Sequence, residues 1–229
     1  MVATFSAPSV PLDRAVPQLR ERGFAVLAPA DVAALCGTTP EALQALVPSW
    51  NRLVADRYLK DGGRYRQRRH ACFVVEADAV VQAPHRAHWQ PLEYNALHGG
   101  MHRWFEPIAP EIALRPVPRW HVEAHQFRID TAGGLGRPTP EGAHRDGVDF
   151  VAVFLVARSG IKGGETRVFA ADGPDGQRFT LESPWSVLLL DDARVIHEST
   201  PIQPLADHGH RDTLVLTYRA AGFQGDEPR

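Results

Sequence analysis

Apolar positions recur at helical spacing in the first third of the chain and at strand-like alternation through the second half. Leu12, Val16 and Leu19 precede Gly23, which predicts a helix over 12–22 closed by a glycine cap. The apolar run Phe24 to Ala28 predicts a strand. Asp31 is placed to cap a brief helix ending near Gly37. Thr39-Pro40-Glu41 opens another, expected to run towards Tyr58 with a break at Pro48. At Tyr65 the texture changes: Tyr65 to Val75 reads as a strand with Arg66 and Arg68 on one face. The stretch His85 to Met101, which holds Tyr94 and Asn95, reads as loop or short helix bordering a site.

Strand signals then follow closely. His121–Ile129, Phe150–Ala157, Glu165–Ala171, Gln177–Leu181, Ser186–Leu190, Arg194–Glu198 and Arg211–Arg219 are each bounded by Gly, Pro or Asp turns. The Gly/Pro-rich stretch Thr131 to Pro140 reads as a loop expected to act as a mobile lid. This series predicts a sandwich or jelly roll rather than a parallel sheet, hence a mainly β (α+β) fold with flanking helices. The expected organisation is a single domain over 1–229. Residues 1–64 would be a helical scaffold, 65–120 strands and site-bordering loops, and 121–222 the core.

Composition narrows the class. A chain of 229 residues with 44% hydrophobic and 23% charged residues is ordinary for a globular protein. A net charge of −2 with no basic block argues against nucleic acid as a partner. The longest apolar run, Phe150 to Ala157, is too short to span a bilayer. Only Cys36 and Cys72 are present, so no disulfide framework is expected, and Met1 to Pro11 has no signal-peptide pattern. A cytoplasmic protein is the expectation, with a homodimer as one expected assembly.

The candidate chemistry lies in His144-Arg-Asp146, just before the Phe150 strand. In extended chain, residues two apart share a face, so the imidazole and carboxylate can grip one cation from one side. His197, about fifty residues on in another strand, adds a second imidazole. Two histidines and one carboxylate form the facial arrangement that holds Fe(II) with positions left open. A second His-x-Asp, His210-Arg-Asp212, has no histidine after it. Arg211 and Thr213 share a face of the last strand, and a guanidinium fork suits a carboxylate. Gln126 and Arg128 share a face of the first barrel strand, which points either into the site or to solvent. His125 takes the other face and is expected to be structural.

Several stretches carry a family resemblance: His125-Gln-Phe-Arg128, Pro138 to Gly147, Gly163-Gly-Glu-Thr166, Asp192 to Pro201 and Arg211 to Val215. Upstream, Tyr65 to Arg68, Gln90, Tyr94-Asn95 and His98 to Gly100 also fit. Together they resemble the 2-oxoglutarate/Fe(II)-dependent dioxygenases, and within them the small bacterial free L-amino acid hydroxylases of the isoleucine dioxygenase type. The resemblance implies a double-stranded β-helix core and Fe(II) on His144, Asp146 and His197. It implies 2-oxoglutarate reaching Arg211, with Thr213 and Gln126 as further contacts and O2 as oxidant. Succinate and CO2 would be released as a small substrate, a free L-amino acid or similar polar metabolite, is hydroxylated or sulfoxidised. Arg128, Tyr94, Asn95 and Arg66 are the candidate substrate contacts. The alternatives are a cupin-like isomerase or hydrolase that uses no 2-oxoglutarate, and a non-catalytic jelly roll that binds a ligand.

Overall fold

The computed structural model describes residues 6–56, 59, 64–76, 79–83 and 118–224. Tyr94 and Asn95 lie outside them, as do Gln90 and His98 to Gly100. After a 3-10 turn at Leu12–Arg14, helix α1 (Ala15–Arg22) ends at Gly23, which takes the left-handed conformation at φ 75°. Strand β1 (Phe24–Leu27) is buried along its length. Helix α2 (Pro29–Leu35) starts earlier than Asp31 suggested, because proline's fixed φ suits the first helical position. Asp31 instead accepts the backbone N–H of Leu12 at 3.2 Å, tying α2 to the chain before α1. Thr39 does cap α3 (Pro40–Gln44), its hydroxyl accepting from the N–H of Ala42. The expected helix to Tyr58 is not formed. A 3-10 turn at Val47–Arg52 leads into the short strand β2 (Val54–Ala55). The N-terminal part is therefore not purely helical: it lends two strands to the main sheet.

Two strands follow upstream of the core, β3 (Arg66–Glu76) and β4 (Ala79–Ala83). The core begins with β5 (Trp120–Asp130), β6 (Phe150–Ser159), β7 (Ile161–Gly163) and β8 (Thr166–Ala170). It continues with β9 (Gly176–Phe179), β10 (Val187–Asp191), β11 (Val195–Ser199), β12 (Ile202–Pro204) and β13 (His210–Arg219). The large sheet runs β1-β10-β6-β13-β5-β3-β2, with β4 also on β3. A smaller sheet, β11-β8-β9, and a ribbon, β12-β7, oppose it. Every strand pairing is antiparallel. This is a jelly roll, as the strand spacing predicts.

Alternation along each strand sorts the large sheet into two faces. On the outer face Phe154, Leu214, Leu216, Val122 and Phe73 pack under Leu19, Val32, Leu43 and Trp50 from the N-terminal elements. On the inner face Val151, Leu155, Leu188 and Leu190 meet Val168 and Val195 of the smaller sheet. Each such side chain, fully buried, contributes roughly 1.5–3 kcal/mol relative to exposure. A one-residue slip of a strand would exchange the two faces, so this patterning fixes which residues look into the barrel. Trp185 is buried beside Trp50, ring edge to face at 6.3 Å, a core residue. Among the described residues no helix is long and apolar enough to cross a membrane.

The loop 131–140 is tied down at two points. Gly136 exchanges backbone hydrogen bonds with Ile202 (3.0 and 2.8 Å), and the Thr139 hydroxyl bonds the backbone of Ser199 in both directions. A lid hinged over its whole length does not fit these ties.

Candidate metal centre

His144 and His197 come from separate segments, yet they exchange backbone hydrogen bonds of 3.0 and 2.9 Å across an isolated antiparallel bridge. That bridge sets the two imidazoles side by side, ring centroids 4.7 Å apart. His197 shares the inner face of β11 with the buried Val195 and pairs in register with Val168 of β8. Asp146 completes the group: its Oδ2 lies 3.6 Å from His197 Nε2, and its Oδ1 lies 3.8 Å from His144 Nε2. The Glu141 carboxylate stands 3.4 Å from His144 Nε2 at the exposed rim.

Orientation is set by surrounding backbone. His144 Nδ1 donates to the carbonyl of Gly142 (2.9 Å), the tautomer that leaves Nε2 as a lone-pair donor. Asp192, fully buried between β10 and β11, grips the loop that carries Asp146. Its carboxylate accepts three successive backbone N–H groups, from Asp146 (3.0 Å), Gly147 (2.8 Å) and Val148 (3.1 Å). Three consecutive amides converge this way because Gly147 adopts φ 75°, a left-handed conformation costly for other residues. The apolar strand before Asp192 and His197 after it are the sequence signal for a buried, oriented carboxylate.

The electrostatics suit a cation. Burial is the main reason the Asp146 carboxyl is pushed up to about 6, the His144 charge opposing and Asp192 and Glu141 adding to it. Burial, and then the neighbouring His144, drive the His197 imidazole down to about 3. Asp146 Oδ2 and His197 Nδ1 are buried without a hydrogen-bond partner. A divalent ion between the Asp146 carboxylate and the two Nε2 atoms would offset the cost of burying the carboxylate and would take the lone pairs of neutral imidazoles. Two imidazoles and one carboxylate are also the donor set of a non-haem Fe(II) facial triad. The residues present therefore fit iron.

Arg211 and Thr213 sit on the inner face of β13, the face on which Val215 packs into the inter-sheet core. Arg211 is buried and forms no salt bridge with a described carboxylate; burial, and then the charge of Arg158, push it down to about 10. The sequence reading overlooked Arg158. By simple alternation it belongs with Phe154 and Val156 on the outer face. A β-bulge intervenes: Thr213 pairs with Leu155 but Asp212 with Ala157, so Val156 is the extra residue and Arg158 swings inward opposite Arg211. Arg158 Nη2 donates to the Gly163 carbonyl (2.7 Å), while Nη1 is buried without a partner. Gly164 (φ 67°) lies against both: a Cβ there would sit 3.1 Å from Arg158 Nη1 and 3.7 Å from Arg211 Cδ.

Gln126 and Arg128 are corrected. Gln126 pairs with Leu214 and so takes the outer face, where its Nε2 donates to the Ser49 hydroxyl (2.9 Å). Arg128 forms a bidentate pair with the buried Asp212 (2.8 and 2.7 Å) and reaches Asn51. Neither looks into the barrel. The second His-x-Asp is thereby accounted for, since Asp212 is the counter-ion of Arg128, with His210 Nε2 at 3.7 Å. His125 instead takes the inner face with Phe127, opposite His70 and Arg68 of β3. Arg66 shares that face, its Nε 2.7 Å from Asp56 and its guanidinium over the Phe127 ring. β3 is an interior strand, so Arg66 and Arg68 are not on a solvated edge.

Comparison with known proteins agrees with this geometry. The family model described as 2OG-Fe dioxygenase matches residues 47–119 and 112–217. The crystal structure of a bsmA homolog from Methylobium petroleophilum PM1 is 49% identical, covering 99% of this chain and 100% of that one at TM-score 0.87. Two further structures share the fold at low identity. IDO from Bacillus thuringiensis is 15% identical, with 92% and 96% of the chains covered and TM-score 0.74. The Fe(II)/(alpha)ketoglutarate-dependent dioxygenase TqaL is 18% identical, with 95% and 90% covered and TM-score 0.75. No curated protein sequence matches the chain. The cupin-like isomerase or hydrolase and the non-catalytic jelly roll are set aside by the family match. The chain belongs to the 2OG-Fe dioxygenase family, enzymes that use Fe(II), 2-oxoglutarate and O2, and it is an oxygenase of that class.

Proposed function

We propose that this oxygenase binds Fe(II) through His144, Asp146 and His197, binds 2-oxoglutarate through Arg211, and hydroxylates or sulfoxidises a free L-amino acid or similar small polar metabolite. One observation carries the reading. The triad and a buried guanidinium without a described acidic partner both project into the space between the two sheets. Bound iron supplies the centre at which the keto acid and dioxygen react, with release of succinate and CO2. The chain's own residues do the rest. The Arg211 fork receives the distal carboxylate, with Arg158 as a second cation on the same side and the Thr213 hydroxyl as a further donor. Gly164 leaves room for both arginines. Asp192 holds the Asp146 loop in place, and the Gly142 carbonyl keeps the His144 lone pair directed inward.

The free amino acid is the reading of the substrate that the sequence motifs and the shared fold favour. Arg66 and Arg68 on the inner face of β3 offer cations for its carboxylate. The test is a succinate-release assay across free L-amino acids, with the same amino acids blocked at nitrogen or carboxyl as controls. Stimulation by one or a few free amino acids supports the class. Stimulation only by blocked or peptide forms removes it while leaving the oxygenase assignment intact.

A further inference from the structure

A second set of metal-ligating side chains lies on the inner face of the β3–β5 pair. His70 and His125 face each other in register, Glu123 is two residues before His125 on the same strand, and Cys72 is two residues after His70. All four are buried. The Nε2 atoms of both histidines converge on one carboxylate oxygen, Glu123 Oε2, at 3.4 Å from His70 and 3.6 Å from His125. Cys72 Sγ is 3.6 Å from His70 Nε2. The His125 ring is stacked between His70 (4.8 Å) and Phe127 (5.8 Å), which fixes the direction of its nitrogen.

These separations decide between two readings. A hydrogen bond from an imidazole to a carboxylate closes to about 2.7–2.9 Å, and neither imidazole–carboxylate contact does. Around a tetrahedral zinc, bonds of about 2.0–2.1 Å to nitrogen and oxygen and 2.3 Å to sulfur put N and O about 3.3–3.5 Å apart and N and S about 3.6 Å apart. The two imidazole–carboxylate separations match that cage, and the ligand atoms of His70, Glu123 and His125 all lie within 4.8 Å of one another, a group that leaves out Cys72. We propose that His70, Glu123 and His125 form a second, buried metal site for a zinc-like divalent cation.

The two centres differ in burial. The His144 triad has two partly exposed donors, His144 and Asp146, and the buried His197 on β11. The second site has three donors, all buried, on the two strands it would hold together. Binding would leave Glu123 paired with a cation. Arg68 lies on the same face with Asp56 at 3.7 Å, and the Glu123 carboxylate also favours its charge. The clamp joins β3 to β5 and so fixes the strand that presents Arg66 and Arg68 to the barrel.

The test uses the full chain with the first centre disabled (His144→Ala, Asp146→Ala and His197→Ala together), dialysed free of loose metal. About one zinc per chain should remain. Cobalt(II) added in its place should give the intense visible absorption of a tetrahedral ion. Cys72→Ser should leave that absorption unchanged, and Glu123→Gln should weaken zinc binding by at least tenfold. A folded triad-disabled protein that retains no zinc and shows no tetrahedral cobalt spectrum overturns the proposal. That arm decides even where the Glu123 variant fails to fold.

Discussion

Replacing Arg211 separates the co-substrate contact from the metal centre. The guanidinium is 4% exposed and faces a second arginine, and burial already disfavours its charge. In the free enzyme its positive charge is therefore a cost, which the distal carboxylate of 2-oxoglutarate would offset. A hydrogen bond to a charged group contributes roughly 1.5–3 kcal/mol net, and a fork supplies two. Arg158 remains on the same side and retains part of the attraction, so the lower end applies: about 3 kcal/mol, or on the order of a hundredfold in affinity. Arg211→Met keeps much of the volume and should lose that affinity without losing thermal stability, since it removes a buried charge beside a like charge. Arg211→Lys should rescue poorly, because an ammonium keeps the charge but not the fork. Iron content should be unchanged in both. The assay is anaerobic titration of 2-oxoglutarate into the Fe(II)-loaded protein, following the visible metal-to-ligand charge-transfer band. Unchanged affinity in both variants would refute the assignment and make Arg158 the next candidate.

Three other perturbations probe the supports of the site. Asp192→Ala strips three backbone amides of their acceptor and should lower iron affinity by roughly 10–100-fold, read by competition with a chelator. Gly164→Ala forces a Cβ against Arg158 at a left-handed φ and should weaken 2-oxoglutarate binding more than iron binding, measured by the same titration. Asp212→Asn breaks a buried pair with the partly exposed Arg128 and should lower stability by about 3 kcal/mol in denaturant unfolding. Its folded fraction should keep full iron content, because Asp212 is on the opposite face of β13 from Arg211.

Much of this was legible because strand alternation and loop position are local properties. Seven of the nine strands from β5 to β13 follow from turn residues, while the short ribbon of β7 and β12 carries no such signal; the His144, Asp146 and His197 constellation follows from spacing and residue type. What local pattern could not supply was facing. Gln126 and Arg128 share a face, but only the pairing of β5 with β13 shows that it is the outer one, packed on Ser49 and Asp212. Arg158 was hidden by one extra residue, Val156, which reverses the alternation of β6. Asp192 was hidden because its three partners lie more than forty residues away. The early end of the α3 region was a competition between helix and sheet. β2 gains pairing with β3 at Val54 and Ala55, which a helix running to Tyr58 would forfeit.

The most direct measurement is iron content and the Fe(II)–2-oxoglutarate absorption band in the unaltered protein, Asp146→Ala and Asp212→Asn, prepared anaerobically in parallel. The account predicts bound iron and the band in the first and third, and neither in Asp146→Ala, where two neutral imidazoles leave the cation's charge uncompensated. Iron and the band retained in Asp146→Ala but lost in Asp212→Asn would contradict it and transfer the metal to the other His-x-Asp.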